Sequence, residues 1–342
     1  MKNPLISIII PVKNRGHTIV ETLKSIKFQT YKNFELIIVD DVSSDDSIKV
    51  IKNFSKKNKL KCKVVQLKES SGASKARNVG AANAKGEVLV FTDSDIVLFK
   101  DALKKGIEYR NKNPNVSAFF GTFTTSLRFK NFLSQYKHLY LCYLYSKQGE
   151  ERSTLDTSLS FIDKKLFDKF KFDDNLKISE DAELAMRMIK EGHVIKQSKD
   201  IEMEHIKHYS IKSFIYSEFM RGKRFSRLLL KSIFNDRVKS GKKTFYLKPI
   251  NFYLNVGIFP FLVLFLFLSL IFKHLFLLLL STATFLLLIV LNLEFWNYLR
   301  KQNGWLFGTK SIFITFFDMA IMDLGITVTF IEFLIFGKNL LK

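Results

Sequence analysis

Val88-Leu89-Val90-Phe91-Thr92-Asp93-Ser94-Asp95 carries two messages in one stretch. Its opening residues are continuously apolar, as in a strand buried on both faces of a parallel sheet. Its closing residues put two carboxylates just beyond that strand, at the edge where open α/β sheets bind ligands. Three runs of the same kind precede it, at Leu5–Val12, Phe34–Val39 and Lys63–Leu67. Helix-like stretches around Gly16–Phe28, Asp45–Ser55 and Ala73–Ala84 fill the intervals. The alternation β-α-β-α-β-α-β predicts an α/β fold with an open, doubly wound sheet. No G-x-G-x-x-G follows the first run, which argues against a dinucleotide-binding Rossmann domain.

The residues past each strand end therefore share one edge. They are Pro11-Val12-Lys13-Asn14, Asp40-Asp41-Val42-Ser43-Ser44, Ser70-Ser71-Gly72 with Lys75-Ala76-Arg77-Asn78, and Thr92-Asp93-Ser94-Asp95. Clustered carboxylates repel one another unless a hard cation is shared, and Asp-x-Asp after a strand suits Mg²⁺ or Mn²⁺ carrying a diphosphate. Taken alone, Asp93-x-Asp95 reads as an acidic turn. The convergence of Asp40, Asp41 and Arg77 on the same edge favours the metal–diphosphate reading.

At this point the chain resembles the family-2 glycosyltransferases of GT-A fold, in their membrane-anchored bacterial or archaeal form. The strings that match are Pro11-Val12-Lys13-Asn14-Arg15, Asp40-Asp41-Val42-Ser43-Ser44-Asp45, Ala76-Arg77-Asn78-Val79-Gly80 and Ala84-Lys85-Gly86-Glu87, running into the D-x-D at Asp93-Ser94-Asp95. The likeness is close over residues 5–99 and continues to about Tyr209. It implies a mixed GT-A sheet and a nucleotide-sugar donor, a UDP- or GDP-sugar. Pro11, Val12, Asn14 and Ser94 would line the donor site, Asp40 or Asp41 would lie near the base, Asp93 near the ribose and Arg77 near the diphosphate. Asp95 would be the main ligand of Mn²⁺ or Mg²⁺.

The resemblance extends to Glu180-Asp181-Ala182-Glu183-Leu184, the E-D-x-x-L string, whose second acid is the general base in inverting members. Helical spacing agrees independently, since residues 181, 184, 185 and 188 share one face and three of them are Leu184, Ala185 and Met188. Asp181 is thus expected to face the protein, with Glu180, Glu183 and Arg187 turned away. Ser179 is the expected N-cap, and a carboxylate in the first turn is favoured in its ionised form. Glu180 is grouped with the candidate acceptor contacts. His205 stands where many relatives carry a metal-ligating His; a surface or packing role is its alternative.

Two motifs of relatives are missing. Thr157-Ser158-Leu159-Ser160-Phe161 replaces a G-x-N string, and no Q-x-x-R-W occurs, which argues for transfer of a single sugar. Arg221 and Arg224 either meet a diphosphate or lipid phosphate or form one side of a basic helix.

Composition supplies the second half of the reading. The 342 residues hold 54 Lys or Arg against 32 Asp or Glu, a net +22, yet 47% are hydrophobic and 35 are Phe. A mean hydropathy of +0.05 at such charge density means an intensely apolar part offsets a polar one. Disorder is excluded by this apolar content. Two cysteines, Cys62 and Cys142, support neither a disulfide framework nor a metal site. The apolar part is C-terminal: Pro249–Phe272 and Leu275–Leu293 carry no charge, separated only by Lys273-His274. Each meets the roughly 20 residues that a bilayer crossing needs, giving spans at 250–272 and 275–293 in a tight hairpin. A third apolar segment, 311–336, contains Asp318, Asp323 and Glu332, and spans only if these are shielded.

Arg237, Lys239, Lys242, Lys243 and Lys248 precede the first span, which places the N-terminal part on the cytoplasmic side of the plasma membrane. The short run Leu5–Val12 lacks a cleavage site and is not a signal peptide. The segment Glu294–Lys310 is expected as a cytoplasmic loop. Phe129–Tyr145 and Ser210–Phe234 mix aromatic or basic residues at helical spacing, as helices at a lipid headgroup layer do, ordinary core helices being the alternative and an equal one for the first stretch. The expected division is a catalytic domain at 1–209, an interfacial segment at 210–248 and a transmembrane region at 249–336. Anionic lipid accounts for the dispersed basic charge better than nucleic acid does. The expected acceptor is a lipid or lipid-linked saccharide. A phosphate acceptor is already ionised, so Asp181 favours a hydroxyl acceptor; a polyprenyl-phosphate sugar synthase is the alternative.

Overall fold

The computed structural model describes residues 3–176, 180–234, 250–337 and 340. In chain order the elements are β1 (Ile6–Val12), α1 (Ile19–Lys27), β2 (Phe34–Asp40), α2 (Ser47–Asn58), β3 (Lys63–Gln66), α3 (Ala73–Ala82), β4 (Val88–Thr92), β5 (Ile96–Leu98) and α4 (Ala102–Lys112). Then follow β6 (Ala118–Phe123), α5 (Phe132–Ser146), β7 (Leu159–Asp163), α6 (Lys164–Phe170), α7 (Glu180–Lys190) and β8 (Ile195–His205). Four long helices close the chain: α8 (Ile211–Phe234), α9 (Ile250–Phe272), α10 (Leu275–Asn303) and α11 (Trp305–Phe336). The chain divides into two compact units, Met1–Arg128 with Gly149–Lys207, and Phe129–Gln148 with His208–Lys342.

The first unit is built on one eight-stranded sheet of order β3-β2-β1-β4-β7-β6-β8-β5. Strands β1 to β4 run parallel and fall where the apolar runs predict them. Ile6, Ile8, Ile9 and Ile10 of β1 and Val88, Leu89, Val90 and Phe91 of β4 are fully buried, as a sheet covered on both faces requires. β1 bonds to β2 on one side and β4 on the other, so the winding reverses between β1 and β4. That reversal opens the crevice in which doubly wound sheets take ligands.

Beyond β4 the sheet turns mixed. β7 runs antiparallel to β4 with Leu159 opposite Thr92, and β8 runs antiparallel to β5 with His205 opposite Ile96. These pairings return distant segments to the ends of the central strands. They escape a pattern reading because β5 is three residues long and β8, Ile-Lys-Gln-Ser-Lys-Asp-Ile-Glu-Met-Glu-His, has no clean alternation.

Among the described residues the second unit holds three helices long and apolar enough to cross a membrane, α9, α10 and α11. Lys273 and His274 alone separate α9 from α10, as expected, and Asn255 and Asn292 exchange amide hydrogen bonds of 3.0 Å between them. The expected loop at Glu294–Lys310 is not a loop: α10 continues to Asn303, only Gly304 intervenes, and α11 starts at Trp305 rather than at 311. Glu, Arg and Lys are good helix formers, so the loss of apolar character after Leu293 ends an apolar surface and not the helix. The chain turns at Gly304, whose φ of 85° suits a residue without Cβ.

Helix α5 packs within this second unit. Its Tyr136, Leu139 and Tyr143 join Phe214, Phe295, Trp296, Leu299, Phe307 and Ile321 in one apolar core. Helices α8 and α11 cross at backbone contact: a Cβ at Gly222 would overlap the Met322 carbonyl oxygen, and one at Gly325 the Phe219 carbonyl oxygen. The basic residues of α8 then meet the acids of α11. Arg221 donates to Asp318 at 2.7 Å and pairs with Glu218 at 2.6 Å, while Lys137 of α5 pairs with the other Glu218 oxygen at 2.5 Å. Glu332 takes Lys223 and Arg227. Helix α8 thus shields Asp318 and Glu332, whereas Asp323 Oδ2 is buried with no hydrogen-bond partner among the described residues. The basic flank at 237–248 lies outside the described residues.

Removing one partner of a buried ion pair strands the other, whereas replacing both with apolar residues does not. Arg221→Met is therefore expected to cost about 3–5 kcal/mol, and Arg221→Met with Asp318→Leu to recover most of it, because Glu218 keeps Lys137. Thermal unfolding of the full chain in detergent measures both.

Candidate active site

The site gathers on the first unit at the carboxyl ends of β1, β2 and β4. After β1 the chain makes a tight turn, with Asn14 at a φ of 54°, and is laced to the turn after β2. Asn14 N–H donates to Ser43 Oγ at 3.0 Å, Ser44 N–H to Asn14 Oδ1 at 2.8 Å, and Gly16 N–H to Asp45 Oδ2 at 3.1 Å. Pro11 and Val12 end β1 itself, and Val12 O accepts Asp41 N–H at 2.8 Å. Asn14 thus uses its side chain on the chain's own backbone.

The two Asp residues after β2 differ in what they hold. Asp41 accepts Ser71 N–H at 2.6 Å, Gly72 N–H at 3.2 Å and the Ser70 hydroxyl at 3.2 Å, with Lys13 at 3.4 Å. Its carboxylate anchors the loop that leads into α3. Asp40, also buried, has only longer bonds, from Ser43 N–H at 3.3 Å and Gln66 at 3.4 Å. Of the pair, Asp40 retains more acceptor capacity.

Arg77 lies on α3 with its side chain 4% exposed. It donates Nη2 to Asp93 at 2.8 Å and Nη1 to Glu180 at 2.7 Å, with Phe172 against the guanidinium at 5.7 Å. Glu180 therefore turns inward, contrary to the helical-wheel expectation. As the first residue of α7 its side chain leans past the helix start, toward Arg77. Glu183 does face outward, paired with Arg187 at 2.6 Å. Ser179, the expected N-cap, lies outside the described residues.

Asp181 accepts Ala182 N–H at 2.7 Å. Burial, then the Glu180 and Asp156 carboxylates, push its carboxyl up to about 7. The expectation of a readily ionised first-turn acid is overturned by desolvation, which outweighs the helix dipole here. Burial likewise raises Asp93, with Asp95 and Asp156 adding to it and Arg77 opposing. Ser94, between the two Asp residues, is buried.

Asp156 is the residue that a motif search misses. It caps the turn before β7, accepting Ser158 N–H at 2.8 Å, while Thr92 donates to Ser158 O at 2.8 Å. Only the antiparallel pairing of β7 with β4 brings it to the D-x-D, and nothing in its local sequence announces that.

Asp95 follows β4, and its Oδ2 faces His205 Nε2 at 3.5 Å and Arg15 Nε at 3.9 Å. The ladder of β5 with β8 sets this approach, since Ile96 opposes His205 and Ile206 N–H donates to Asp95 O at 2.9 Å. Burial pulls the Asp95 carboxyl up, but His205, Arg15 and Lys207 outweigh it and hold it below its ordinary value. Among the described residues no group of three or more His, Cys, Asp or Glu is arranged to hold a metal ion. The Asp95–His205 pair nevertheless fits one: a carboxylate oxygen and an imidazole nitrogen suit Mn²⁺, and a cation shared with substrate phosphates needs few protein ligands. Arg221 and Arg224 belong to the second unit, where Arg221 is paired as described and Arg224 is exposed.

Comparison with known proteins accords with this geometry. Residues 7–172 match the family model described as glycosyl transferase family 2. An uncharacterized glycosyltransferase of Rickettsia conorii is 38% identical over 108 residues, 32% of this chain and 17% of that protein. The Escherichia coli UDP-Glc:alpha-D-GlcNAc-diphosphoundecaprenol beta-1,3-glucosyltransferase WfgD is 35% identical over 123 residues, 36% of this chain and 47% of that protein. The chain thus spans less than half the length of these relatives. The structure of the mannosyltransferase PcManGT of Pyrobaculum calidifontis, solved with GDP-Man and Mn²⁺, superposes with a TM-score of 0.61 at 17% identity, over 96% of this chain and 88% of that one. That likeness is one of fold, and it takes in the C-terminal helices as well as the sheet. The chain carries a glycosyl transferase family 2 domain, followed by three helices long and apolar enough to cross a membrane.

Proposed function

We propose that the protein transfers one sugar, with inversion, from a nucleotide-sugar donor to a hydroxyl of a lipid or lipid-linked saccharide at the cytoplasmic face of the membrane. The observation that carries the reading is the pairing of Asp95 with His205 on the same strand-end edge as Asp181, a carboxyl pushed up to about 7. A general base is most effective when its pKa lies near the working pH. Asp181 takes the proton of the acceptor hydroxyl as its oxygen bonds to the anomeric carbon. The bond from that carbon to the leaving diphosphate oxygen breaks from the opposite face, and its electron pair departs with the nucleoside diphosphate. Asp40, with acceptor capacity to spare, suits the donor base, and Asp93, fixed by Arg77, suits the ribose. A divalent cation at Asp95 and His205 would supply positive charge to the leaving diphosphate.

The acceptor class draws support from the three apolar helices and from WfgD, whose name gives it a diphosphoundecaprenol-linked acceptor. The missing Q-x-x-R-W string supports a single transfer.

Three outcomes test this. Asp181→Asn is expected to lower kcat by about 10²–10⁴ with nucleoside diphosphate binding retained, read from transfer of radiolabelled donor sugar with lipid phosphosugar resolved from extended oligosaccharide. Full activity in that variant overturns the base role, and a lipid phosphosugar product overturns the hydroxyl acceptor. In the wild type, kcat/KM falls as pH drops below about 7, because a protonated Asp181 accepts no proton; the Asn variant lacks this limb. His205→Ala is expected to raise the Mn²⁺ concentration that supports UDP or GDP binding by about tenfold or more, measured by calorimetry.

A further inference from the structure

We propose that Arg15 is the cationic side chain that grips the donor diphosphate, the role for which the sequence nominates Arg77. The inference rests on the donor class proposed above. A diphosphate held at Asp95 brings negative charge to an edge already crowded with Asp93, Asp95, Glu180 and Asp181, and one divalent cation balances only part of it. Arg77 is not available. Two of its nitrogens are bonded to Asp93 and Glu180, and its Nε, though without a hydrogen-bond partner among the described residues, is buried in a side chain only 4% exposed. Lys13 is engaged as well, with Asp41 and Ser70.

Arg15 has the opposite character. Its side chain is 44% exposed, and its Nε lies 3.9 Å from the Asp95 oxygen that His205 faces. Among the described residues its one side-chain hydrogen bond is a long one, Nη1 to Asn14 O at 3.3 Å. The backbone beneath is fixed: Arg15 N–H donates to Ser47 Oγ at 2.7 Å, and its carbonyl accepts Thr18 N–H and Ile19 N–H at 3.0 Å each. The flanking Asn14 and Gly16 are tied to Ser43 and Asp45. A permanently charged planar fork on a rigid root, with its head in solvent, is the form that suits bidentate capture of phosphate oxygens. Its place beside Asp95 puts that head next to the carboxylate proposed to carry the cation. Arg77 thereby becomes a positioning residue, acting through Asp93 and Glu180.

The test is calorimetric titration of the full chain in detergent with Mn²⁺, using UDP and GDP and, in parallel, uridine and guanosine. Arg15→Gln is expected to weaken the preferred nucleoside diphosphate by about tenfold to a hundredfold, the scale of a lost hydrogen bond to a charged group. Nucleoside binding and the unfolding temperature are expected to stay at wild-type values, Arg15→Lys to restore part of the loss, and the surface variant Lys24→Gln to change nothing. Equal diphosphate affinity in Arg15→Gln and wild type overturns the proposal, as does an equal loss for nucleoside and diphosphate. If the wild type binds neither UDP nor GDP, the donor class itself is wrong and this inference falls with it.

Discussion

A buried guanidinium holds the acidic edge of this protein together. Arg77 sits between Asp93 and Glu180, and so ties α3 to the end of β4 and to the start of α7. Carboxylates drawn out of water near one another repel, and the low dielectric enlarges that repulsion. Without a cation among them, Asp93, Asp156, Glu180 and Asp181 would relieve the strain by taking up protons or by moving apart. With it, Asp93 and Glu180 are fixed. Asp181, which has no such partner, is left with a raised carboxyl. One arginine thus separates the acids held in an internal ion pair, Asp93 and Glu180, from Asp181, which has none, while burial raises the carboxyls of Asp93 and Asp181 alike.

How much of this could be read in advance follows from the range of each interaction. The strands β1 to β4 were visible because double-sided burial writes itself as uninterrupted Ile, Val and Leu, and Asp93 and Asp95 followed from their place after β4. Asp181 was visible through its helical stripe. What stayed hidden depends on pairing between distant segments. Asp156 reaches the site only because β7 lies antiparallel on β4; His205 is nominated by the resemblance alone, and the β5–β8 ladder supplies the physical reason it faces Asp95. A wheel projection turns Glu180 outward because it treats every helical residue alike, whereas the first residue of α7 reaches beyond the helix axis. The apolar run stops short of the end of α10 because hydropathy reports only the apolar surface, and a helix can outlast it.

The helical unit repeats the lesson of Arg77 in apolar surroundings. Asp318 and Glu332 of α11 are tolerable on an apolar helix because Arg221, Lys223 and Arg227 of α8 lie against it. The near-contact of backbones at Gly222 and Gly325 brings the two helices close enough for those pairs to form. The net charge of +22 therefore overstates what the surface offers to anionic lipid, since part of the basic charge of α8 is neutralised within the fold.

The path of the chain between the two units also governs how the molecule can be dissected. It leaves the sheet after Arg128, contributes α5 to the helical unit, returns at Gly149 to lay down β7, α7 and β8, and leaves again after Lys207. Three strands of connection, rather than one, therefore join the units. A chain cut after the last strand keeps α5 but loses Phe214, Phe295, Trp296 and Leu299, and the faces of Tyr136, Leu139 and Tyr143 are left bare. During synthesis the same helix emerges well before the residues that cover it. Its aromatic face is covered only once α8, α10 and α11 have followed, so the order of the sequence itself delays the packing of α5.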